Sequence, residues 1–132
     1  MAVRMVRLMS PRAADEGTRI GTVRRPPRGV PKAEFARRDF YDLWLPTLAP
    51  SQDLLRSSGG GGDMSQVWPA FARAYRAEMK APAAAHLLDL LAALSHTTNF
   101  SVGCYCEAET WCHRSILREL LRARGARLVA HP

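Results

Sequence analysis

"NFSVGCYCEAETWCHRSILRELLRARGARLVA", Asn99 to Ala130, decides the fold. It reads as strand, helix, strand. Residues 99–106 are β-prone and short. Residues 111–124 place Ile116, Leu117, Leu120 and Leu121 on one helical face, and Gly125 offers a left-handed stop. Residues 126–130 are β-prone again. Strand, helix and strand joined by short turns make a βαβ unit, which implies parallel strands and a right-handed crossover.

Outward from that unit the same alternation continues. Residues 3–9 read as a first strand and Gly17 to Val23 as a short second one. "RRPPRGVPK" then breaks regular structure, because Pro26, Pro27 and Pro31 fix φ and Gly29 frees it. A short helix or turn is expected near residues 32–40. "DMSQVWPAFARAYRAEMK" puts Val67, Phe71, Tyr75 and Met79 on one face, with Asp63 or Ser65 as N-cap and Pro69 in the first turn. "PAAAHLLDLLAALSH" is a second helix, with Pro82 at N1 and Leu87, Leu88, Leu91 and Leu94 as its stripe. The expectation is one small α/β domain over residues 1–132. It has a mainly parallel, Rossmann-like sheet flanked by helices in three layers, and a flexible Gly-rich loop at 57–63.

Composition narrows the function classes. A chain of 132 residues supports one core. No apolar run reaches the roughly 18–20 residues that cross a bilayer. The formal charge is +7, and of 19 Lys and Arg residues only Lys32 and Lys80 are Lys. Such a surface favours an anionic partner, either a small ligand or, as an alternative, nucleic acid. The basic residues are not interleaved with aromatic ones as in a single-strand groove. Three cysteines without an export signal suit a reducing, cytoplasmic setting better than a disulfide framework.

In parallel sheets ligands bind beyond the carboxyl ends of the strands. Cys104 and Cys106 fall there, and Cys112 and His113 open the next helix. Four readings of this rim compete. Zinc would need Cys104, Cys106, Cys112 and His113. The C-x-C-x5-C-H spacing is not a knuckle pattern, so no metal or other cofactor is assigned and zinc is the less favoured reading. A reactive thiol is the second: a helix N-terminus, His113 and Arg114 would all lower the pKa of Cys112. Cys112 and His113 would then be catalytic or redox-sensing, with Cys104 as resolving thiol. An anion pocket is the third and the preferred one. It would join the first turn of the helix, with Cys104, Arg114 and Ser115, to the stiff loop bearing Arg24, Arg28 and Gly29. Plain core packing of the cysteines is the fourth. Trp44 and Trp68 read as core, and Arg118, Arg122, Arg124 and Arg127 as a solvated face.

"RPPRGVPK", "DLWLPTLAPSQDLLR", "FARAYRAEM" and "C-x7-C-H-R-S-I-L" from Cys104 to Leu117 together resemble the bacterial family called domain of unknown function 488, in its small YeaO-like branch. Arg24, Pro27, Arg28, Gly29, Val30 and Lys32 match the first family stretch. Val23, Arg25 and Pro26 stand where that branch shows Asp, Leu and Trp. The resemblance implies an α/β fold and a bacterial cytoplasmic protein, and no particular reaction.

Overall fold

The computed structural model of the protein describes residues 1–57 and 64–130. Of the Gly-rich loop expected at 57–63, Ser57 is helical and the rest, with the Asp63 cap, lies outside the described residues. The first expected strand forms as β1 (Val3–Arg7) and the second as β2 (Thr18–Gly21). A two-residue strand, β3 (Leu43–Trp44), was not anticipated, and residues 99–106 supply β4 (Phe100–Cys104). The sheet order is β1-β4-β2-β3, and every pairing is parallel. β4 takes the centre because all five of its residues are apolar or small, so both of its faces can be buried.

The last expected strand shrinks to one parallel bridge, Val3 to Leu128. Two backbone bonds of 2.9 Å hold it, from Val3 N–H to Arg127 and from Val129 N–H to Val3. The Val129 carbonyl is taken by the Arg118 guanidinium at 3.0 Å, so this side-chain bond occupies a ladder acceptor.

Among the described residues four α-helices flank the sheet: α1 (Gln52–Ser57), α2 (Met64–Glu78), α3 (Pro82–Leu94) and α4 (His113–Ala123). Ser65 lies inside α2 rather than at its cap, and Pro69 falls in the second turn rather than the first. Pro69 is solvent-exposed, where water can satisfy the carbonyl its missing N–H leaves free.

Alternation along β4 sorts the two faces. Phe100 and Val102 point into the helical layer, where they meet Phe71, Tyr75, Leu88, Leu91, Ile116 and Leu117. Ser101 and Gly103 point the other way, toward loop segments. Ser101 donates to Glu16 at 2.7 Å, and a Cβ on Gly103 would come within 2.6 Å of Leu8. That second face is thus covered by chain from residues 8–42, not by a long helix.

Candidate thiol site

At the carboxyl end of β4 the chain turns through residues 105–111 and enters α4. Arg118 holds this turn with two bonds to Glu109, at 2.7 and 3.1 Å. Arg118 is buried, which corrects its reading as part of a solvated face. The turn brings the three cysteine sulfurs within 4.8 Å of one another. Cys104 and Cys106 lie 3.7 Å apart, sulfur to sulfur. Cys112 is 2% exposed, Cys104 is also buried, and Cys106 is exposed. The sulfurs therefore run from solvent inward.

His113 stands against Cys112 with Nδ1 3.7 Å from the sulfur. Its Nε2 lies 2.8 Å from the Thr22 carbonyl and 3.1 Å from the Thr22 hydroxyl. A carbonyl oxygen only accepts, and the Thr22 hydroxyl donates to the Gly103 carbonyl at 3.0 Å. Nε2 must therefore carry a proton, which makes Nδ1 the ring nitrogen that faces Cys112. Tyr75 packs edge-on against the imidazole, with centroids 5.4 Å apart, and its own hydroxyl is tied to the Leu48 carbonyl at 2.6 Å. Thr22 and Tyr75 thus position His113. Neither was singled out as a site residue from the sequence, although Thr22 directly follows β2 on the same rim where a strand-end rule points.

Arg114 completes the site. It is 3% exposed, donates to the Cys106 carbonyl at 2.6 Å, and brings Nε 3.5 Å from the Cys112 sulfur. Among the described residues no carboxylate pairs with it. A buried guanidinium stays charged and needs an anion. The group offered is the Cys112 sulfur.

The thiols respond accordingly. Cys112 is driven far below the ordinary thiol range by hydrogen bonds from Cys104 and Cys106, which outweigh its burial, and His113 adds to the effect. Cys104 is pushed far up, because it donates to its two sulfur neighbours and is buried. Cys106 is pulled down by Cys104, but its contact with Cys112 and its burial leave it raised. Three thiols this close can share one negative charge readily and a second only at great cost. The directions of the three shifts favour Cys112 as its holder. The same three sulfurs are the residues that could hold a soft metal ion.

A family model described as the active DUF488-N3 subclade matches residues 3–125. The chain belongs to the DUF488 family. No curated protein and no solved structure matches it.

In this DUF488 chain the expected site residues divide into two groups. Cys104, Cys112, His113 and Arg114 come together, joined by Cys106. Ser115 is beside them, but its hydroxyl bonds the Cys112 carbonyl at 2.9 Å and so closes the first turn of α4. Arg24 is committed elsewhere, donating to the carbonyls of Pro46, Ala49 and Pro50 at 3.0–3.1 Å. Arg28 and Gly29 are exposed, and Gly29 has a φ of 71°. Val30 of the same loop packs against the hydrophobic cluster that includes Leu8, Val23, Cys104 and Cys112. Trp44, expected in the core, is 38% exposed on the edge strand. Among the described residues no helix is long and apolar enough to cross a membrane.

Proposed function

We propose that this DUF488 protein works through Cys112 as a stabilised thiolate in redox thiol chemistry, with Cys106 and Cys104 as the sulfurs that resolve it. The observation that carries this reading is the buried Arg114, which has no carboxylate partner among the described residues and directs Nε at the Cys112 sulfur. An oxidant of the peroxide class would take two electrons from the Cys112 thiolate. One oxygen passes to sulfur, and the other leaves as water or alcohol after gaining a proton. A neighbouring thiol then displaces hydroxide from the sulfenic acid, its own proton making that leaving group water, and a disulfide forms. Sulfur separations under 4.8 Å allow this with small side-chain movement. Cys106 is the sulfur that meets solvent, so the disulfide would be reducible from outside by thiol exchange.

The ultraviolet absorbance of thiolate tests this reading without requiring access to the buried sulfur. One thiolate per folded chain should persist from mildly alkaline into mildly acidic solution, and it should vanish in Cys112→Ser. Absorbance that disappears on acidification near the pH of free cysteine sinks the reading. Peptide mapping after peroxide treatment should then find Cys112 joined to Cys106 or Cys104.

Membership in a subclade described as active supports a second reading. In it the same thiolate attacks an electrophilic carbon or phosphorus of a bound substrate, and His113 Nδ1 holds the proton. Turnover that survives in a Cys106→Ser variant would favour this reading. A third use of the cluster, holding a soft metal ion, is decided by metal analysis of the purified protein.

A further inference from the structure

A cavity of about 660 Å³ opens beside β3, and none of the three cysteines lines it. The volume falls within the ~300–1,000 Å³ typical of small-molecule sites. Pro26, Pro27, Phe35, Tyr41 and Trp44 line it, together with Lys32. These walls are stiff for identifiable reasons. The two prolines fix their φ angles. Trp44 is exposed, yet its indole N–H is anchored on the Val23 carbonyl at 2.7 Å. Phe35 meets Tyr41 edge-on with centroids 5.3 Å apart. Tyr41 lies against Gly21, where any Cβ would come within 2.4 Å of the ring. The Tyr41 hydroxyl is buried and lacks a hydrogen-bond partner among the described residues.

The charge in the cavity is one-sided. Asp42 lines it too, but both carboxylate oxygens take bonds from Arg12, at 2.8 and 3.0 Å, and one also accepts the Arg19 N–H at 2.8 Å. The Lys32 ammonium has no ion-pair partner among the described residues. The uncompensated charge is therefore positive, at the edge of an aromatic and proline-lined hollow.

We infer that this cavity binds a planar aromatic or heteroaromatic molecule carrying an anionic group. The ring packs among Trp44, Tyr41, Phe35 and the two prolines, and the anion pairs with Lys32. Flat faces of this kind favour flat ligands, and an exposed indole held in place loses little freedom on binding. Val30 and Phe35 also pack against the hydrophobic cluster that contains Tyr41, Cys104 and Cys112, so the cavity and the thiol site border the same cluster. The inference does not depend on thiol reactivity, and it survives if that reading fails.

The chain has three tryptophans, and their indole N–H signals separate in a nitrogen–proton correlation spectrum. Titrations would use adenosine monophosphate and naphthoate as planar anions, adenosine as a neutral ring, and inorganic phosphate as an anion without a ring. At least one planar anion should move the Trp44 signal saturably at low millimolar concentration and leave Trp68 and Trp111 in place. Lys32→Ala should weaken that anion about two- to fivefold, the worth of one exposed ion pair, and leave adenosine unchanged. Ala33→Trp fills the cavity from an exposed position and should abolish the shift. No saturable shift with either planar anion overturns the inference. So does phosphate alone matching them, full affinity in Lys32→Ala, or a shift that persists in a folded Ala33→Trp variant.

Discussion

Arg19 and Arg114 are both buried cations, at 0% and 3% exposure, but they are neutralised in opposite ways. Arg19 is closed on every side. It grips Glu16 with bonds of 2.7 and 3.0 Å, and it donates to the Ser10 and Asp39 carbonyls at 2.9 Å. Glu16 in turn accepts from Ser101 and from the Ala13 N–H. Burial would raise the Glu16 pKa, but the bonds from Arg19, Ser101 and Ala13 win and hold it below the ordinary carboxylate range. Arg114 meets one carbonyl and a sulfur. A carboxylate is charged at neutral pH in almost any setting, whereas a thiol is charged only where its surroundings keep it so. The first arrangement is therefore architecture. The second is a charge that chemistry can add or remove.

Breaking the first arrangement should have the largest effect. Arg19→Met strands the Glu16 carboxylate inside the protein and should cost about 3–5 kcal/mol of stability, read from chemical denaturation. Arg114→Met should cost less, about 1–2 kcal/mol, because Cys112 can take up a proton and become neutral. In the same variant the thiolate absorbance should disappear at a higher pH than in the native protein, while the bonds from Cys104 and Cys106 keep it below the ordinary thiol range. If the two arginines cost equally, the contrast between them is wrong.

The thiol trio also predicts the shape of a stability profile. Cys112 has a depressed pKa when folded, so its contribution is complete above the ordinary thiol value near 9 and is lost as pH falls. Cys104 and Cys106 have raised values, so theirs is present below that point and lost as pH rises through it. The two trends oppose each other and should give a maximum near pH 9, flattened in a variant with all three cysteines changed to serine. The smallest effect belongs to the surface. The Arg124–Asp89 pair is bonded at 2.8 Å with Asp89 mostly exposed, and Asp89→Asn should change stability by about 0–1 kcal/mol.

The basic composition overstates the free positive surface. Arg19, Arg114 and Arg118 are buried, Arg24 holds three carbonyls, and Arg12 is bound to Asp42. A net charge of +7 is legible in a sequence, but the partners that absorb it come from distant segments. The same limit explains why Arg118 read as solvated. Its helix position was clear, but the Glu109 that draws it inward is placed by the turn that precedes α4.

The amino-acid sequence by itself determined the class of fold and the region of the site. Its hydrophobic periods marked β1, β2, β4 and three of the four helices, and strand-then-helix order put the cysteines on the rim of a parallel sheet. Periodicity is a local property, so one chain segment carries it unaided. Only the tertiary structure decided the roles. It set β4 between β1 and β2, joined His113 to Thr22 and Tyr75, gave Arg114 a sulfur for a partner, and drew Arg24 away to the carbonyls of residues 46–50. Each of these depends on which groups meet once water is excluded, and spacing along the chain does not encode that.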